Sequence, residues 1–157
     1  MLHIWEIWPK LAEAVLRTHI EYRMAGGHSF DHALHVAQVA YFIAETEEVK
    51  RLSGAAGLCH NADRILQKIL GVGKKDVPEA RVVTMVQGWL DTSNEFTATD
   101  GDRIVSAVLL HSNFNIDGSD EVLVALQDAD RIACSAAEAI IGAAQHWHEI
   151  PMINPKH

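Results

Sequence analysis

The stretch SFDHALHVAQVAYFIAE, residues 29–45, decides the fold. Val36, Ala37, Val39, Ala40, Phe42, Ile43 and Ala44 show no alternation of apolar and polar side chains. The run is too long for a strand and is apolar on nearly every side of a 3.6-residue turn. That predicts a central, buried helix. Ser29 or Asp31 caps its start. The first turn carries His32, an ionisable group that is costly to bury unless it is paired or bound to metal.

The same periodicity extends to both sides. Upstream, Leu11, Ala12, Val15, Leu16 and Ile20 form a stripe on a helix from Pro9 to Met24, with Pro9 at its first position and Gly26-Gly27 ending it. Downstream, a third helix runs from about Glu47 to His60 and continues, with an irregularity, to Leu70, where Gly71-Val72-Gly73 breaks it. A fourth follows Val77-Pro78-Glu79 and carries Val82, Val83, Val86, Trp89 and Leu90. Thr92 to Thr99 reads as a loop, Asp100 to His111 as a fifth helix, and Asn113 to Gly118 as a loop. Ser119 caps a long last helical region to about Trp147, broken near Ala133–Glu138, with a frayed tail from Pro151. Nothing reads as a run of strands. The expectation is an all-α fold: one compact helical bundle of five to seven helices over residues 1–157.

Composition fits that reading. A chain of 157 residues, 48% hydrophobic, is of one-domain size with a single core. The apolar runs are too short and interrupted to span a membrane, and the N-terminus lacks the basic and apolar regions of a signal peptide. A net charge of −8 argues against sequence-independent nucleic-acid binding. It leaves room for a nucleotide, since a metal ion bridges phosphates to acidic groups. Cys59 and Cys134, both in apolar helical contexts, read as small core residues of a reduced, cytoplasmic protein. Lys74-Lys75 reads as a solvated loop pair. Trp5, Trp8, Trp89 and Trp147 read as packing residues at helix contacts.

Three histidines and an acid pair interrupt otherwise apolar stretches. His32 lies in Asp31-His32-Ala33-Leu34-His35-Val36. His60 lies in Ala55-Ala56-Gly57-Leu58-Cys59-His60-Asn61-Ala62-Asp63-Arg64, and His111 in Val108-Leu109-Leu110-His111-Ser112. The acids stand in Leu126-Gln127-Asp128-Ala129-Asp130-Arg131. Each histidine alone reads as a packed core residue. Together with the acids they make a set that a divalent transition ion would use. Asp128 and Asp130 are about 200° apart on a helix, so only one faces a shared site, and spacing does not choose between them.

In order and context these stretches resemble the HD-domain metal-dependent phosphohydrolases, in particular the small bacterial branch that acts on nucleotides. The resemblance covers about residues 28–135. It implies an HD-like helical domain holding one divalent ion (Mn, Fe, Co, Ni, Mg or Zn) on His32, His60, Asn61 and Asp130, with Asp128 as runner-up to Asp130. It implies hydrolysis of a phosphate ester or anhydride of a nucleotide or similar small metabolite, with Asp130 or Asp63 orienting water. His111 and Arg64 then stabilise charge, and His28, His35 and Arg64 meet the substrate. Self-association is left open. The departure is the doublet His60-Asn61, which stands where the family has His-Asp. An amide oxygen still ligates but brings no charge, so a binding or regulatory module without turnover is the alternative.

Overall fold

The computed structural model describes residues 4–113 and 120–134. Their regular structure is helical throughout. A single turn, α1 (Ile4–Ile7), is followed by seven full helices: α2 (Pro9–Glu21), α3 (Phe30–Ile43), α4 (Glu47–Cys59), α5 (Ala62–Leu70), α6 (Glu79–Ser93), α7 (Ala98–Leu110) and α8 (Glu121–Cys134). Two short 3-10 turns, Gly26–His28 and Lys74–Asp76, precede α3 and α6. The all-α bundle expected from periodicity is what forms. Among the described residues, no helix is long and apolar enough to cross a membrane. The expected Ser119 cap, the helical stretch to Trp147 with most of its break, and the tail from Pro151 lie outside the described residues, as does most of the Asn113–Gly118 loop.

α3 is the central helix. It packs most extensively on α4 and α8, while α4 also packs on α8 and α7, and α2 pairs with α6 on the flank. Ala33, Val36, Ala37 and Ala40 are buried. Burial on all sides fails in the last turn, where Phe42 and Ile43 are exposed beside a cleft between the end of α3 and the start of α8. Gly57 sets the α3–α4 distance, and Gly54 makes room for Trp8. A Cβ at Gly57 would lie 2.6 Å from the Cα of Ala37 and 2.8 Å from its nitrogen, and a Cβ at Gly54 would lie 2.7 Å from the Trp8 ring. Gly57 thus lets two backbones meet where a larger residue would hold them apart.

Local chemistry explains the helix ends. Ser29, not Asp31, caps α3: its Oγ accepts from the backbone N–H of His32 at 3.2 Å. α6 ends later than expected, at Ser93, because Asn94 takes the left-handed conformation (φ 52°) that closes it. α7 starts earlier than Asp100 because Thr97 is the cap, and Asp100 returns a bond to the Thr97 N–H in a capping box.

Arg51 of α4 adds a bidentate pair to Asp100, at 2.7 and 3.1 Å, and holds its carboxyl down at about 2. Because the folded value lies below the unfolded one, this stabilisation is complete above about pH 4 and is lost as pH falls towards 2. Asp100→Asn is expected to cost about 1–2 kcal/mol at pH 7, allowing for screening at the part-exposed Arg51, or about 2–8 °C in Tm. Thermal melts of both proteins at pH 7 and pH 2 check this. A gap that stays constant across that range would mean the carboxylate charge is not its source.

Candidate metal centre

The ends of two helices and the middle of a third converge. His32 opens α3, His60 follows the last residue of α4, and Asp130 lies on α8. His32 Nε2–H donates to Asp130 Oδ1 at 3.3 Å across 98 residues of chain, and His60 Nε2 lies 3.8 Å from the same oxygen. The His60 ring packs edge-on to those of His32 and His111, with centroids 5.3 and 5.7 Å apart.

Protonation follows from the partners. His60 Nδ1 contacts the carbonyl of Gly57 at 2.7 Å, and a carbonyl only accepts. The proton therefore sits on Nδ1, and Nε2 presents its lone pair towards Asp130. Burial, reinforced by His111, lowers the His60 pKa to about 3, so the ring is neutral, as a metal ligand must be. For Asp130, burial pushes the carboxyl up. The His32 hydrogen bond and the surrounding imidazoles outweigh it, and the pKa falls well below the carboxylate range. The site thus joins a neutral donor nitrogen to an ionised oxygen.

Asn61 is 2% exposed and sits between α4 and α5. It is the N-cap of α5, yet its side chain makes no capping bond there. Its Nδ2 has no partner among the described residues. The side chain does bond His28, so the unpaired group is the amide N–H donor, whose burial costs about 1–3 kcal/mol.

That cavity has a volume of about 250 Å³. Besides His32, His60, Asn61, His111 and Asp130, its walls include His28, Asp63, Arg64, Lys74, Ser112 and Cys134. Burial and the nearby Arg64 cation lower the pKa of His28. Asp63 has one unpartnered oxygen, and its other lies 4.0 Å from Lys74 Nζ. Lys74 Nζ donates to Ser112 Oγ (3.0 Å), Ser112 donates to His111 Nε2 (3.1 Å), and His111 Nδ1–H donates to the Val108 carbonyl (2.6 Å). Both His111 nitrogens are therefore engaged, and the chain ends in the lysine cation at the rim. A larger cleft, about 340 Å³, is lined by Glu45, Glu121 and Asp128 among apolar side chains but by no histidine. Convergent donors, not size, locate the site.

Most of the residues singled out from the sequence meet here. Asp130 faces the cavity, while Asp128 turns to the surface and pairs with Arg131 at 3.2 Å. His35 does not join them: it lies a turn further along α3 and about 60° round from His32, and it is not among the lining residues. Cys59 is buried as expected, but Cys134 is not a core residue; it is exposed and lines the cavity. Its i+4 spacing from Asp130 was the available signal. Lys74 and Ser112 had none, because only the tertiary fold sets the Lys74–Asp76 turn against the end of α7. Trp8 and Trp89 are buried at helix contacts, and Trp5 packs edge-on to Phe30; Trp147 lies outside the described residues.

The donors suit a divalent ion in type. Around an ion with ligand bonds of about 2.0–2.3 Å, neighbouring donors stand roughly 3.3–3.8 Å apart; the two histidine–Asp130 distances are 3.3 and 3.8 Å, and the donor atoms that all lie within 4.8 Å of one another are those of His32, Asp130 and Cys134. No protein-family profile, curated protein or solved structure matches the chain.

Proposed function

We propose that this cavity binds one divalent metal ion and hydrolyses a phosphate ester or anhydride of a small metabolite, a nucleotide being the first class to test. The approach of His32 and His60 to one oxygen of Asp130 carries the reading. His32, His60, Asp130 and the Asn61 carbonyl oxygen would hold the ion. When bound, the ion lowers the pKa of a water and polarises a phosphoryl oxygen.

The remaining steps fall to the protein. Arg64 and Lys74 at the rim attract and orient the phosphate, with His28 beside them. His111 and Ser112 position the Lys74 cation, so charge building on phosphate oxygens is met at the end of that hydrogen-bonded chain. Asp63, with its unpartnered oxygen, is placed to accept a proton from water. A cavity of about 250 Å³ takes the phosphate end of a nucleotide and leaves the rest outside.

Elemental analysis of the purified chain, followed by a phosphatase screen with Mn²⁺, Mg²⁺, Co²⁺ and Ni²⁺, tests the proposal. Bound metal and metal-dependent release of phosphate are expected. An ion that binds without turnover on any phosphorylated substrate favours the second reading, a ligand-binding module, which the neutral Asn61 supports.

Asn61→Asp restores a negative charge at nearly constant shape. Metal affinity is expected to rise by about tenfold, measured by calorimetric titration of both proteins. Unchanged affinity would place Asn61 outside the coordination sphere.

A further inference from the structure

We infer that Cys134 is a further protein ligand of this ion, through Sγ, and that the site therefore selects a thiophilic ion of the zinc or cobalt type over magnesium. The inference rests on the reading of the cavity as a metal centre.

Geometry comes first. Cys134 Sγ lies 3.8 Å from Asp130 Oδ1, and donor atoms of His32, Asp130 and Cys134 all lie within 4.8 Å of one another. Asp130 Oδ1 is therefore the common neighbour of two imidazole nitrogens and a sulfur, at 3.3, 3.8 and 3.8 Å. Those three lie in the range of roughly 3.3–3.8 Å expected of neighbouring donors around one ion. The i,i+4 spacing puts Asp130 and Cys134 on one face of α8, so both reach the cavity without backbone movement. A weak S–H···O bond to a helix neighbour would account for the sulfur alone. It would not account for His32 and His60 approaching the same Asp130 oxygen at 3.3 and 3.8 Å.

Charge comes second. Two neutral imidazoles, an amide and one carboxylate leave a divalent ion with a net positive charge. A thiolate supplies the negative charge that Asn61 lacks. As the sulfur–metal bond forms, the thiol proton passes to solvent, one per ion bound. Thiolate is a soft donor and discriminates against magnesium, which prefers oxygen.

The test is a Co²⁺ titration of the full chain, wild type against Cys134→Ser and Cys134→Ala. Circular dichroism checks the fold, which an exposed position should tolerate. Wild type should show visible ligand-field bands together with a thiolate-to-cobalt charge-transfer band in the near ultraviolet. Both variants should keep the visible bands, lose the ultraviolet band and bind Zn²⁺ at least about tenfold more weakly. Visible bands without the ultraviolet band in wild type would overturn the role of Cys134 and leave the metal centre standing. An ultraviolet band that survives in the variants would belong to Cys59 and also overturn it. No bands of either kind in wild type would overturn this inference and the metal-centre reading together.

Discussion

Asp130→Ala is expected to weaken divalent-metal binding by about a hundredfold or more. Structural zinc sites bind with about 10–16 kcal/mol over four ligands. One ligand then contributes about 2.5–4 kcal/mol, or two to three decades in affinity at 1.4 kcal/mol each. Asp130 should lie at the upper end, because its Oδ1 is the atom both histidines approach and its carboxylate stays ionised in a partly buried setting. Without metal the variant leaves the His32 N–H short of an acceptor, a loss of about 1 kcal/mol, so the fold should survive for the measurement. Asp128→Ala is the internal control: it removes only a surface pair with Arg131 and should bind metal as wild type does. Calorimetric titration with Zn²⁺ and Mn²⁺ on all three proteins decides the matter. Wild-type affinity in Asp130→Ala would remove the proposed centre.

Periodicity alone made the helices legible, because an apolar face at 3.6-residue spacing is a local property. Their ends depended on single groups: the Ser29 hydroxyl, the left-handed Asn94, and Thr97 taking the cap while Asp100 paired with Arg51. The site was legible only in part. A histidine in an apolar helix is not by itself a ligand. His19 is 3% exposed, donates to the Val15 carbonyl and packs on Phe30, and it lies outside the cavity. What separates His60 from His19 is the convergence of α3 and α8 on it, and no local pattern contains that. Spacing also left Asp128 and Asp130 equivalent; packing of α8 against α3 and α4 separates them. Cys134 reads as core in the sequence because apolar Ile132 and Ala133 precede it. Ile132 is itself half exposed, at 50%, so apolar composition did not report burial at that end of α8.

The α3–α4 contact that holds His32 beside His60 rests on the missing side chain of Gly57, and Gly57→Ala should be the most destabilising of the glycine substitutions. Its Cβ would meet Ala37 Cα at 2.6 Å and Ala37 N at 2.8 Å, and those are backbone atoms of a packed helix. They cannot rotate away, so the two helices must separate. Overpacking of this kind costs about 1–3 kcal/mol and sometimes more; about 3 kcal/mol is expected here, or roughly 6–12 °C in Tm. Gly54→Ala makes the graded comparison. Its new methyl meets the Trp8 ring at 2.7 Å, and a side chain yields more easily than a backbone, so the loss should be smaller. Gly88→Ala should go the other way. Gly88 lies exposed within α6 with nothing within 4 Å of its added Cβ, so the gain in helix propensity, about 0.5–1 kcal/mol, is uncompensated. Thermal melts of the three variants should rank Gly57→Ala below Gly54→Ala below wild type below Gly88→Ala. The same order, Gly88→Ala excepted, is expected in metal affinity, because separating α3 from α4 moves His32 away from His60. A Gly57→Ala protein that melts with wild type would show that the two helices do not approach as closely as a glycine requires.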